Sequence, residues 1–323
     1  MKRFFGTNAA IESARASLIK RNIFSVSAIF LLIYFLGQLL SSLILMIPAY
    51  ISIILNEETA YILNDASSDF SDISEIVDKM LSNPPEWFKL ASLFTAAGCG
   101  VAAIYYCTKI EHRPMFSLGF CKKGALPEYL IGFFVGLLMY SAAFGMVYLT
   151  GDVKLIGFNA EASVPMILLF LLAYIIQGAS EEILCRGYYF VSASVSFNVP
   201  VAVFASSAFF ALLHIGNGGI SALAIINIFL FGVFAVLYFL RRGSLWGIMA
   251  IHSAWNFAQG NIWGFKVSGM PIANSVFVTE AVGERTLFNG GAFGTEGGLG
   301  VTAVLLLGIV AVAFMKNKNH AEY

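Results

Sequence analysis

The chain has 323 residues, 59% of them hydrophobic and 12% charged, and its formal net charge is zero. Soluble domains carry about a quarter charged residues, so this chain has too little polar surface to coat a fold in water, and its mean hydropathy of +0.80 points to the bilayer as solvent. The balanced charge gives nucleic acid no polycationic surface, and Cys99, Cys107, Cys121 and Cys185 form neither a CxxC pair nor a disulfide framework.

In chain order, the segment MKRFFGTNAAIESARASLIKRN leads with Lys2, Arg3, Arg15, Lys20 and Arg21. It lacks a small-residue cleavage site and reads as an uncleaved anchor, with residues 8–20 as a short helix along the interface. Apolar stretches of spanning or near-spanning length follow at 23–54, 88–107, 129–150, 164–185, 200–215, 220–240, 244–263 and 297–315. The expected fold is therefore an all-α, polytopic membrane helix bundle with about eight transmembrane helices. Residues 1–160 hold helices one to three, 161–263 a core of helices four to seven, and 264–323 a loop and the eighth helix.

Charge sets the expected orientation. Besides the N-terminal cluster, Lys109, Arg113, Lys122 and Lys123 follow the second span, Arg186 the fourth, Arg241 and Arg242 the sixth, and Lys316 and Lys318 the eighth. Alternating helices place all of these on one side, with both termini cytoplasmic. The other side receives an acidic loop at 56–86, with room for one short helix, and the glycine-rich loop 264–296, which reads as an irregular surface connection. His112 and His320 fall in polar segments and read as solvated, and Gly232, Gly243 and Gly247 as close helix approaches or a turn.

Ionisable side chains within spans cost on the order of 2.5–3.5 kcal/mol each and default to function. They cluster here in the second half: GASEEILCRGYYF carries Glu181, Glu182 and Arg186, FFALLHIGN carries Phe210 and His214, and HSAWN carries His252 and Asn256. Glu182 and Arg186 share a helical face at i,i+4 and can pair, which turns Glu181 about 100° away, and His252 and Asn256 again share a face. Asn198-Val199-Pro200 marks the turn between the fourth and fifth spans. Glu182 and His214 each lie about 16 residues from it, roughly 24 Å along a helix, so they face each other at one level. His252 lies in the half nearer the basic loops, so the cluster is expected to open toward the cytoplasm.

A buried carboxylate beside a histidine can activate water, and a second histidine with an asparagine amide can donate to an oxyanion. These are parts for peptide hydrolysis without a serine or cysteine nucleophile. Glu181, His214 and His252 equally make a His₂Glu set of the kind that holds catalytic zinc, and the residues alone leave both open. Ser180 is not in a GxSxG elbow and reads as helix-packing glue, and no HExxH occurs. Asn227 reads either as a hydrogen bond to a neighbouring helix or as a group near the site.

EEILCR, FALLH and HSAWN match EExxxR, FxxxH and HxxxN motifs, and over roughly residues 165–260 the chain resembles the CAAX protease and bacteriocin-processing family of intramembrane peptidases. The resemblance implies Glu181 as the water-activating base working with His214, His252 with Asn256 as the oxyanion site, and Glu182, Arg186 and Phe210 in support. It also implies a multi-pass protein of a bacterial plasma membrane, with lipids and a peptide or membrane-anchored protein as partners, cut near the cytoplasmic face. Competing readings are an immunity or scaffold protein that binds a peptide without cutting it, and a proton-coupled transporter using Glu181, Glu182 and His214 as a relay. The transporter ranks third, because its usual paired, interrupted repeats are missing from the first half of the sequence.

Overall fold

A computed structural model describes residues 6–17, 21–55, 85–282 and 286–318. The acidic segment 56–84 and His320 lie outside the described residues. Helix occupies each of the eight stretches read from hydropathy. The elements are α1 (Ala9–Ser17), α2 (Ile23–Leu55), α3 (Glu86–Ile110), α4 (Ala125–Leu149), β1 (Val153–Phe158), α5 (Val164–Ser196), α6 (Val199–Leu212), α7 (Ala222–Arg242), α8 (Leu245–Phe257), β2 (Phe277–Ala281) and α9 (Leu299–Phe314). Five are long and apolar enough to cross a membrane: Ile23–Pro48 of α2, and α3, α4, α5 and α7. α6 and α9 are apolar but shorter, at 14 and 16 residues. α8 continues in a wider π-helical turn to Ile262.

Large apolar side chains crowd the outward faces of α2 and α4, where Phe35 is 62% and Leu138 69% exposed. Such bands are unstable in water and stable against acyl chains, so the protein is an integral membrane protein. α8 is the hub, packed on α4, α5 and α7, and Gly247–Asn256 are buried throughout. Glycine lets its neighbours approach: a Cβ on Gly136 of α4 would collide with the α8 backbone at Ile251. Gly232 of α7 meets Ser207 of α6 in the same way.

The helix turns gather at two ends of unlike charge. At one end Leu245 donates its N–H to Gly119 O, Lys318 to Arg241 O, and Glu128 takes Arg242 and Lys318 into an ion-pair cluster. At the other, β1 and β2 pair antiparallel from Val153↔Ala281 to Phe158↔Phe277, with an irregularity between Leu155 and Gly157. Three expectations need correction. Arg186 is not a loop charge, because α5 runs on to Ser196 and buries it completely. α1 forms where a short helix is expected but does not rest on lipid alone, since Ala10, Ile11 and Ala14 are fully buried against the turn at Met115–Leu118 and the end of α5 while Glu12 and Arg15 are exposed. The segment 264–296 is no irregular surface connection: it contributes β2, buries Val267, Ile272 and Phe293, and folds back over the helices.

Candidate active site

The site grows out of one turn of α5. Glu182 and Arg186 pair at 3.0 Å, both fully buried, as their i,i+4 spacing requires. From Ile183 to Phe190 the helix widens into π winding, a local rearrangement that often accompanies functional positions. The Arg186 guanidinium lies 4.4 Å from the centre of the Phe210 ring, so α6 supplies a π face to a charge that lipid would not solvate. Phe210 thus has a physical role that its place in FxxxH leaves unstated.

His252 of α8 stands between the two carboxylates. Its Nδ1 is 2.9 Å from Glu182 Oε1 and its Nε2 is 3.8 Å from Glu181 Oε2. A carboxylate only accepts, so Nδ1 carries the proton toward Glu182 and Nε2 faces Glu181. Glu181 Oε1 accepts from Gln177 Nε2 at 2.9 Å, and Gln177 Oε1 accepts from Asn256 Nδ2 at 3.2 Å. The second Asn256 N–H remains available. Glu181 Oε2 is buried and accepts no hydrogen bond from the described residues.

His214 lies just past the end of α6. Its Nδ1 is 2.7 Å from Phe210 O, so Nδ1–H donates there and the Nε2 lone pair is left as the ring's accepting face. The residues beyond it are mostly exposed: Ile215, Gly216, Gly218 and Gly219 make an open loop. His214 and Glu181 border one cavity of about 190 Å³, with Tyr34, Gln38 and Gln177 on its walls. A second space of about 30 Å³, room for about one water, touches His214, His252, Asn256 and Gln177.

All four residues singled out for chemistry, with Glu182 and Arg186, therefore converge, but among the described residues the two cavities beside them do not open toward the basic end. Glu182–Val195 of α5, Phe234–Arg241 of α7 and Gly247–Asn256 of α8 are buried without a break, so that side of the cluster is solid protein. Both cavities instead reach Ser268, at the opposite end, and the smaller also reaches Glu296.

The zinc alternative was tested on the donor set. Among the described residues no three His, Cys, Asp or Glu side chains lie close enough to hold one ion. Glu181, His214 and His252 are therefore not such a group in this arrangement.

Sequence reasoning missed Gln177, Ser268 and Glu296. Gln177 had a usable signal, since it precedes Glu181 by one helical turn and shares its face. Ser268 and Glu296 had none, because they reach the cavity only through the folding-back of 264–296. Ser268 donates both its N–H and its hydroxyl to Glu296 Oε2, at 2.8 and 3.1 Å. Asn227 does both things considered for it: its Nδ2 holds Glu296 O and Gly298 O, at 2.7 and 3.0 Å, and it lines the smaller cavity. Ser180 donates to Ile176 O within α5, a packing role.

Residues 163–258 match the family model described as type II CAAX prenyl endopeptidase Rce1-like. The match takes in α5 to α8 and all three motifs, and leaves α1 to α4 and the 264–298 segment outside it. No curated protein and no solved structure matches the chain.

Proposed function

We propose that the protein, whose residues 163–258 match the Rce1-like type II CAAX prenyl endopeptidase family model, is an intramembrane endopeptidase that uses Glu181 and His214 to activate water. The observation that carries this reading is the placing of one imidazole, His252, between two carboxylates on the wall of a cavity that a second imidazole shares.

In the proposed reaction a water lies between Glu181 Oε2 and His214 Nε2. It attacks the carbonyl carbon of the scissile peptide bond as its proton passes to Glu181, a step that positioned bases accelerate by about 10²–10⁴. The carbonyl π electrons move onto oxygen, and the oxyanion takes hydrogen bonds from the free Asn256 N–H and, when it is protonated, from His252 Nε2–H. Glu181 then returns the proton to the leaving nitrogen, the C–N bond breaks, and an acid and an amine result. Glu182 and Arg186 hold the His252 ring and touch no reacting atom.

The test is cleavage of a peptide library by purified protein in detergent. Glu181→Ala is expected to fold, by its melting curve, and to cut nothing. Activity is expected to persist in a strong chelator. Full turnover in Glu181→Ala would refute the base assignment, and loss of turnover on chelation with recovery on adding zinc would replace this mechanism with a metal-assisted one.

A further inference from the structure

The two ends of the bundle differ in charge, and the two cavities beside Glu181, His214 and His252 reach Ser268 at the more acidic one. At the closed end lie Arg21, Lys109, Lys122, Lys123, Arg242 and Lys318, facing few acids beyond Glu111 and Glu128. At the end the cavities reach, Asp152, Glu161, Glu280 and Glu296 outweigh Lys154 and Lys266. Basic loops stay on the cytoplasmic side of a membrane, because lysine and arginine near span ends resist translocation. That rule places the open end outside the cell.

We propose that the substrate reaches Glu181 from the extracytoplasmic side, as a peptide already carried across the membrane or as the outer juxtamembrane stretch of an anchored protein. This rests on the peptidase reading above, and it departs from what the family's name suggests, a prenylated C-terminus presented from the cytoplasm. The access route passes the exposed loop after His214, and Ser268 and Glu296 form its far wall. From the basic end a peptide meets the uninterrupted packing of α5 between Glu182 and Val195, and the groove between α2 and α3, which reaches Ile110 there, is apolar and does not touch Glu181, His214 or His252. Phe231 and Trp255 give the smaller cavity an apolar wall beside the polar cluster.

The side of access can be read without any peptidase assay. All four native thiols are buried, so a membrane-impermeant maleimide should report an introduced cysteine in the full-length protein. Ser268→Cys, with Lys266→Cys as a second variant should the first misfold, is expected to label in intact spheroplasts. Lys122→Cys is expected to label only in inside-out vesicles. A quenched-fluorescent soluble peptide should then be cut by right-side-out vesicles and spared by inside-out ones. Labelling of Ser268→Cys or Lys266→Cys only in inside-out vesicles, or cleavage only there, would overturn the proposal. Outside labelling without Glu181-dependent cleavage in either orientation would refute the peptidase reading, and the substrate class with it, while the sidedness stands.

Discussion

On the basic side of His252, residues 182–195 of α5 and 234–241 of α7 are buried without interruption; on the other side the same helices part around cavities lined by Gln177, Glu181, His214 and Asn256. The two regions treat polar groups differently. In the packed half Glu182 is held by both Arg186 and His252 in solid packing, although Glu182 Oε2 and Arg186 Nε and Nη2 have no hydrogen-bond partner among the described residues. In the hollow half the unpartnered atom, Glu181 Oε2, belongs to a residue that borders a cavity. Glu181 and Glu182 are neighbours in sequence, yet the step of about 100° between them puts Glu182 in solid packing and Glu181 on a cavity wall.

The sharpest way to break this comparison is to remove a partner from the packed half. Arg186→Met leaves Glu182 buried without its cation, which should cost about 3–5 kcal/mol and lower the melting temperature in detergent markedly. Combining it with Glu182→Gln should recover part of the loss, because no uncompensated charge then remains. An unchanged melting temperature in the single variant would mean that the packed half tolerates open charge. In the hollow half, Asn256→Ala should leave stability nearly intact and lower kcat by about 10²–10³ with little change in KM, the pattern of a donor used only in the transition state. A rise in KM at constant kcat would assign Asn256 to substrate binding. The smallest expected effect lies at the hub, where Gly136→Ala inserts a methyl against the α8 backbone at Ile251 and should destabilise by about 1–3 kcal/mol without altering kcat.

Much of this was legible in the sequence. Apolar runs located every main helix, since hydropathy records which solvent a segment meets. The i,i+4 spacing anticipated the Glu182–Arg186 pair, and counting from Pro200 put Glu182 and His214 at one level. What stayed hidden depends on contacts far apart in the chain. The bond from Asn227 to Glu296 O joins residues 69 apart and folds the 264–296 segment over the cavity, and no local pattern announces it. The opening was misjudged for a related reason. Depth along a helix can be counted from a turn, but which end of a bundle packs solid follows from how α5, α7 and α8 fit together. Counting Arg186 among the loop charges conflicts with running α5 on to the turn at Asn198-Val199-Pro200, and the structure follows the longer helix.

The most direct measurement sets Glu181→Gln beside Glu182→Gln and records cleavage rate and melting temperature for each in the same detergent. The account predicts that Glu181→Gln melts like the parent and cleaves about 10²–10⁴ times more slowly, whereas Glu182→Gln melts lower because Arg186 loses its counter-charge. A Glu181→Gln protein that cuts at the parent rate would contradict it.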